Sequence, residues 1–269
     1  MSDFDVATTV RSRADGGFDA ELDGRWSAGG VPHGGYLLGV LGRAAAVVSE
    51  AAADHPHLTS VSASFLRTPV PGPARVDVDV LRIGRSTTQL RAALRQGDVL
   101  VIDALLTKGL LDDADPWWSN VSQVELPDEA DCVRIPVEAP GAGFRVELME
   151  FVDQRLDPGV LGFAMGAPSG RGVIAGYNRF VDGTDWTPLS LLIPLDAGPP
   201  ASFDVGAGRL LTQQFTAYVR SLPAPGPVRF ELRSRQVSGG RIDQDALVWD
   251  SKGRLVGQST QLGAVRLPG

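Results

Sequence analysis

From Arg75 to Leu81 apolar and polar positions alternate, with Val76, Val78 and Val80 on one side and Arg75, Asp77 and Asp79 on the other. A period of two predicts a half-buried strand. After Gly84-Arg85 the alternation resumes at Thr88, Leu90, Ala92 and Leu94, and Gln96-Gly97-Asp98 then turns the chain into the apolar run Val99 to Leu106. These spacings predict an antiparallel meander. Upstream the period changes: Tyr36, Leu37, Val40, Leu41, Ala44, Val47 and Val48 recur at the 3.6-residue spacing of a helix with one buried face. The alanine-rich tail predicts that this helix continues to Ala53.

The same order recurs about 154 residues later. Val228, Phe230 and Leu232 alternate with Arg229, Glu231 and Arg233, and Gly239-Gly240-Arg241 opens the next strand. "FLRTPVPGPARVDV" parallels "YVRSLPAPGPVRFEL", and "QGDVLVIDALLTKG" parallels "SKGRLVGQSTQLG", so that Arg67 matches Arg220 and the two PGP turns correspond. An internal duplication accounts for the match. Upstream of the second meander, Thr187-Pro188 reads as an N-cap and first helical residue leading into Leu189, Leu191, Leu192 and Leu195, in a helix that Pro194 kinks or ends early. Between the halves, the acid- and proline-rich stretch 112–143 has no sustained period and reads as connection. The reading is therefore an α+β chain of two units, 1–115 and 143–269, around a linker at 116–142. In each unit a curled antiparallel sheet would wrap one helix.

Composition narrows the function. Glycine and proline, 32 and 19 of 269 residues, argue against a helical bundle. The chain carries 25 basic and 32 acidic side chains, and no stretch gathers lysine and arginine into a phosphate-neutralising stripe, which speaks against nucleic acid as a partner. Cys132 is the single cysteine, so neither an intrachain disulfide nor a multi-cysteine zinc site can form, and a reducing cytoplasm is the expected location. The most apolar stretch, Tyr36 to Val48, is too short for a bilayer, and the start MSDFDVATTV lacks a signal pattern, so no membrane span is expected. There is no G-x-S-x-G, H-E-x-x-H, G-x-x-x-x-G-K-[ST] or strand-to-helix G-x-G-x-x-G. His55 and His57 sit in "DHPHLTS", read as a solvated loop, and Cys132, with no histidine nearby in sequence, as a buried or tolerated thiol.

In "WSAGGVPHGGYLLGVLGRAA", "SASFLRTPVPGPARVDVDVLRIGRSTTQLRAALRQGD", "LSLLIPLDAGPPASF" and "RLVGQSTQLGAVR" the chain resembles the acyl-CoA thioesterase II (TesB-like) family. The resemblance implies a double hotdog fold, two fused units each with a sheet around a helix. It also implies hydrolysis of fatty acyl-CoA by water that an aspartate, a threonine and a glutamine hold and activate. Position by position these fall on Asp196 in "IPLDAGPP", Thr212 in "RLLTQQFTAYVR" and Gln261 in "QSTQLGAVR", with Thr216 competing for the threonine role from the same face of the strand. A carboxylate can accept the water's proton while a neutral hydroxyl and amide orient it; direct carboxylate attack through an anhydride is the other route.

His33, Gly34 and Gly35 open the first helix, where unpaired N–H groups and the helix dipole favour an oxyanion; they are read as substrate-binding, against the alternative that the glycines serve tight packing. Trp26 and the pair Trp117-Trp118 either line an acyl tunnel or cover core edges, the second being favoured. No cofactor and no metal is called for. Acyl-CoA is the expected partner, and association into a homo-oligomer is compatible with the family. A hydratase on this architecture is disfavoured, because no histidine follows an aspartate at a spacing of five. The competing class is a noncatalytic acyl-CoA or acyl-lipid binding protein.

Overall fold

The computed structural model describes residues 1–49, 54–138 and 143–267. The first half runs α1 (Asp3–Ala7), β1 (Val10–Ser12), β2 (Phe18–Leu22), β3 (Ser27–Ala28), β4 (Val31–Pro32), α2 (Gly34–Val48), β5 (His57–Phe65), β6 (Gly72–Ile83), β7 (Thr87–Gln96) and β8 (Val99–Gly109). The remainder runs β9 (Val133–Arg134), β10 (Val152–Leu156), β11 (Val173–Phe180), β12 (Leu211–Val219), β13 (Val228–Arg233), β14 (Val237–Ser238), β15 (Arg241–Trp249) and β16 (Leu255–Ala264). One antiparallel sheet takes in all of these strands except the small β3–β4 ribbon, in the order β1-β2-β6-β7-β8-β5-β12-β16-β15-β13-β11-β10-β9, with β14 beside β15.

That order is a palindrome of the duplication. Outward from the β5–β12 seam the first half reads β5, β8, β7, β6, β2 and the second reads β12, β16, β15, β13, β11. Across the seam Ser62 stands opposite Thr216, its counterpart under the 154-residue offset, and their hydroxyls lie 2.9 Å apart. The two strands therefore pair about their own midpoint. A bulge is repeated as well, between Leu58 and Ser60 in β5 and between Thr212 and Gln214 in β12.

The helix expected from the 3.6 period forms as α2 over Gly34–Val48 and packs on β6 and β7. Its last turn closes on Ser49, whose hydroxyl donates to Ala45 O; the rest of the expected tail, to Ala53, lies outside the described residues. The second helix is reduced to a 3₁₀ turn, Ser190–Leu192, with irregular turns to Ala197. Its start follows the expectation, because the N–H of Ser190 donates to Thr187 Oγ1 and that of Thr187 to Ser190 Oγ, a reciprocal cap. Pro194 then removes a donor, and the following bonds alternate between i−3 and i−4 acceptors.

The two helical segments meet almost backbone to backbone. A Cβ on Gly35 would stand 2.1 Å from Leu192 O, and one on Gly42 would stand 2.4 Å from Leu189 Cδ1. Glycine at these positions is what permits the approach. Among the described residues no helix is long and apolar enough to cross a membrane.

Three expectations need correction. The stretch read as connection contributes β9, which adds an edge to β10 and was too short to show a period; Cys132 beside it is buried, and burial pushes its thiol pKa up. Trp117 and Trp118 cover no core and are exposed, while Trp26 is buried and stacks on Phe151 and Tyr36 at centroid distances of 4.7 and 5.7 Å. His55 is not solvated: it is buried, with Nε2 donating to Arg85 O and Nδ1 accepting from Thr88 Oγ1.

His57 likewise opens β5 and accepts the N–H of Leu111 on Nδ1 at 3.0 Å. Burial, and then the charge of Lys108, hold its pKa below the usual 6.5. Below pH 6.5 the unfolded chain takes up a proton that the folded one refuses, so acid favours unfolding until the depressed folded pKa is passed. The urea midpoint is expected to fall between pH 7.5 and 5.5, and to fall less in His57→Asn, which keeps an acceptor for Leu111. Equal slopes in the two proteins would contradict this origin.

Candidate functional site

A cavity of about 880 Å³ opens beside the N-terminus of α2, with walls that include Leu37, Phe65, Leu148, Phe163 and Phe203. It brings together His33, Gly34, Asp196, Thr212 and Gln261. Gly35 is not on its wall.

Asp196 ends the irregular second segment. The preceding residue is tied to β16: Leu195 O accepts from Ser259 Oγ at 2.8 Å, and the Leu195 side chain lies over Gly257, where a Cβ would approach it to 3.1 Å. Gly257, Ser259 and Gln261 alternate along the buried face of β16, so the contacts that hold Asp196 come from the strand that carries Gln261. The carboxylate then crosses to the other half of the chain. Its Oδ2 accepts the N–H of Gly35 at 3.0 Å, at the start of a helix whose first turn carries no acidic residue of its own. A negative charge there is favoured by the helix dipole.

His33 precedes this turn without making a side-chain cap. Its Nε2 lies 3.4 Å from Asp196 Oδ2, outside hydrogen-bond geometry, and among the described residues both buried ring nitrogens lack a hydrogen-bond partner. Gly34 leaves room for the carboxylate, since a Cβ on it would fall 2.6 Å from Asp196 Oδ2. Of the three residues read as substrate-binding, Gly35 thus contacts Asp196 and the second helical segment, while His33 and Gly34 reach the cavity.

Thr212 and Gln261 form a pair, with Thr212 Oγ1 donating to Gln261 Oε1 at 2.6 Å. That bond fixes the amide's orientation and leaves its NH2 end for another acceptor. The expectation that Thr216 shares the face of Thr212 is incorrect. The bulge at Gln213 shifts the alternation by one residue, so Thr212, opposite Gly263, faces inward with Phe215 and Gln261, whereas Thr216, opposite exposed Thr260, faces outward to Ser62.

The duplication supplies a built-in comparison. Under the repeat offset Thr187 stands for His33, Gly42 for Asp196 and Leu58 for Thr212; in the strand ladder Leu106, opposite Val61, takes the place that Gln261 holds opposite Phe215. The side chain of Leu189 closes on Gly42 there, with Leu58 beside it. One of two pseudo-equivalent sites carries the polar set, and leucines occupy the other.

Gln154, Gln244 and Arg209 are among the cavity residues not singled out from sequence. Gln154 and Gln244 are buried in strands of alternating pattern where any residue type passes unnoticed. Arg209 lies with its guanidinium over the Phe144 ring, 4.7 Å from the centroid, and among the described residues no carboxylate stands within ion-pair distance of it. Burial lowers its pKa, and Glu147 and Asp196 oppose the shift. No group of three or more potential metal-ligating His, Cys, Asp or Glu side chains occurs among the described residues.

Residues 22–109 match the family model of the acyl-CoA thioesterase N-terminal domain, and residues 128–265 match that of the C-terminal domain. An uncharacterized protein of Mycobacterium tuberculosis (strain H37Rv) is 31% identical, with 92% of this chain and 90% of that protein covered. Among solved structures, a thioesterase II candidate from Thermobifida fusca is 30% identical with a TM-score of 0.88, covering 99% of this chain and 98% of that one. A hot dog fold protein of unknown function from Alicyclobacillus acidocaldarius is 20% identical with a TM-score of 0.80 and full coverage of both chains. The acyl-CoA thioesterase II TesB2 of Mycobacterium marinum is 15% identical with a TM-score of 0.69, over 99% of each chain.

Proposed function

The chain belongs to the TesB-like acyl-CoA thioesterase family of hotdog fold, and from that premise we propose that it hydrolyses fatty acyl-CoA to free acid and CoA at the Asp196 cavity. The observation that carries the reading is a carboxylate held by the Gly35 amide on the wall of a largely apolar cavity that also bears the Thr212–Gln261 pair. The palindromic strand order supports two fused hotdog units, 1–115 and 143–269, joined through 116–142, with the reaction centre built from both.

In the proposed reaction Asp196 takes a proton from a water molecule as that water attacks the thioester carbonyl carbon. Gln261 donates from its NH2 end to the water oxygen and orients it, while Thr212 holds the amide in that orientation. The N–H of Gly34, first in the helix and so without an intrahelical acceptor, polarises the carbonyl oxygen, and His33 adds a polar contact beside it. As the tetrahedral adduct collapses, the C–S bond breaks and Asp196 returns the proton to the CoA sulfur. Acid and thiol leave, and the carboxylate is regenerated.

The face assignment in β12 gives the test. In a thiol-release assay on acyl-CoA, Thr212→Val is expected to lower kcat roughly tenfold, the scale of one lost hydrogen bond. Thr216→Val, on the outer face, is expected to stay near the parent. Equal losses in the two variants, or a larger one in Thr216→Val, would refute the site.

A further inference from the structure

The charges on the cavity wall do not balance. Among the described residues that line it, Arg67, Arg134 and Arg209 carry fixed positive charge and Asp196 is the one carboxylate, in a chain whose net charge is −7. Arg134 is paired with Asp153 at 3.3 Å, and Asp196 is held by the Gly35 N–H. Arg67, which is exposed, donates only to the carbonyl of its neighbour Leu66, at 2.9 Å. Arg209 donates to no group among the described residues. The reaction proposed above gives neither of these two arginines a role.

Arg209 is the more enclosed of the two. It lies two residues before β12, the strand that carries Thr212. Its guanidinium is bounded by the Phe144 ring and by Gly29, where φ is +61° and a Cβ would come within 3.0 Å of Nη1. Burial acts against its charge, and Glu147 and Asp196 offset this from beyond ion-pair distance. A guanidinium keeps its proton in such a place, and its planar fork of N–H donors matches the two oxygens of a carboxylate or phosphate. The duplication shows the same positions with their donors engaged. Arg220, the match of Arg67, donates to Gln258 Oε1 at 2.6 and 3.2 Å and lies over the Tyr218 ring. His55, which stands for Arg209 under the 154-residue offset, engages both ring nitrogens with Thr88 and Arg85. The donors left over are those on the Asp196 cavity.

We propose that Arg209 receives an oxyanion that the acyl-CoA carries into the cavity, either a phosphate of CoA or a carboxylate on the acyl group, with Arg67 adding charge on the same wall. The inference rests on the cavity being an acyl-CoA hydrolase site, and it deepens that reading by naming the group that anchors the substrate.

The test measures kcat/KM in the parent, Arg209→Met and Arg209→Lys for three thioesters of equal acyl length. Octanoyl-CoA carries the CoA phosphates alone, suberyl-CoA adds a carboxylate at the far end of the acyl group, and S-octanoyl-pantetheine has no phosphate. If a CoA phosphate is the anion, Arg209→Met is expected to lose about ten- to a hundredfold on both CoA esters, the scale of a lost charge-assisted hydrogen bond, and to leave the pantetheine ester near the parent. If an acyl carboxylate is the anion, the parent is expected to favour suberyl-CoA over octanoyl-CoA by about tenfold or more, and Arg209→Met to lose that preference. In both cases Arg209→Lys, which keeps the charge without the fork, falls between. Should methionine disturb the fold, Arg209→Gln gives the same comparison. Equal losses on all three esters, or no loss on any, would overturn the inference while leaving hydrolysis intact. If the parent turns over none of them, the thioesterase reading fails, and the Kd values of the same esters in the same variants decide the anion site by the same pattern.

Discussion

Asp196→Asn is expected to lower thioester hydrolysis on the order of a hundred- to ten-thousand-fold, the usual range for loss of a positioned general base. The substitution is nearly isosteric, and its carbonyl oxygen can still accept the Gly35 N–H that now holds Oδ2 at 3.0 Å, so the contact between the two halves persists. What disappears is the ability to take a proton from water. The fall is expected in kcat, with little change in the far-ultraviolet circular dichroism or in Tm, because the protein keeps its packing. Thiol release measured beside the melting curve separates chemistry from folding. A variant within threefold of the parent would remove Asp196 from the reaction.

Gly35→Ala is expected to give the largest loss of stability for the smallest change. Helix propensity alone predicts the opposite sign, since alanine is favoured over glycine in a helix interior by about 1 kcal/mol. The added Cβ, however, would stand 2.1 Å from Leu192 O and 2.7 Å from Leu192 C, and these are backbone atoms that no rotamer change can move. Forcing the segments apart is expected to cost at least the ~1–3 kcal/mol typical of overpacking, outweighing the propensity gain. It would also break the Gly35–Asp196 hydrogen bond, so activity falls together with stability. Gly39→Ala on the same helix provides the contrast: its Cβ would meet Phe4 Cζ at 2.8 Å, the edge of a ring that can shift. Urea unfolding of the two variants checks the order, and a Gly35→Ala protein as stable as its parent would contradict the packing described.

The parts of the fold carried by a long, unbroken period were legible from sequence. The 3.6 spacing from Tyr36 to Val48 became α2, and the alternation that begins at Val76 and Val78 became the inner side of β6 near its middle, although Val80, which continues it, is exposed. The duplication announced itself through matching turns and became a mirrored strand order. Where a single residue breaks the period, legibility stopped. The bulge at Gln213 reverses the faces of the residues on either side, so Thr212 and Thr216, four apart and seemingly aligned, point opposite ways. Pro194 reduced a leucine-rich helix to a 3₁₀ turn and irregular turns, although its Thr187 cap formed.

Contacts between distant segments were beyond any local pattern. That Gly34 and Gly35 make room for Asp196 and Leu192, rather than both facing a ligand, depends on two segments some 160 residues apart meeting at van der Waals distance. His55 was misread for a similar reason, because its partners Thr88 and Arg85 arrive from another strand and turn. That Gln154, Gln244 and Arg209 share a cavity with Gln261 emerged only when the fold brought their segments together.

The central claim is that this cavity turns over a thioester rather than merely holding one. The most direct measurement follows CoA thiol release by the unaltered protein from acyl-CoA esters of graded chain length, with saturation binding of the same esters measured in parallel. The account predicts many turnovers per protein chain on at least part of the series, with stoichiometric acid and thiol. Saturable binding across the series without thiol release would contradict it and would make this chain an acyl-CoA binding protein on a thioesterase fold.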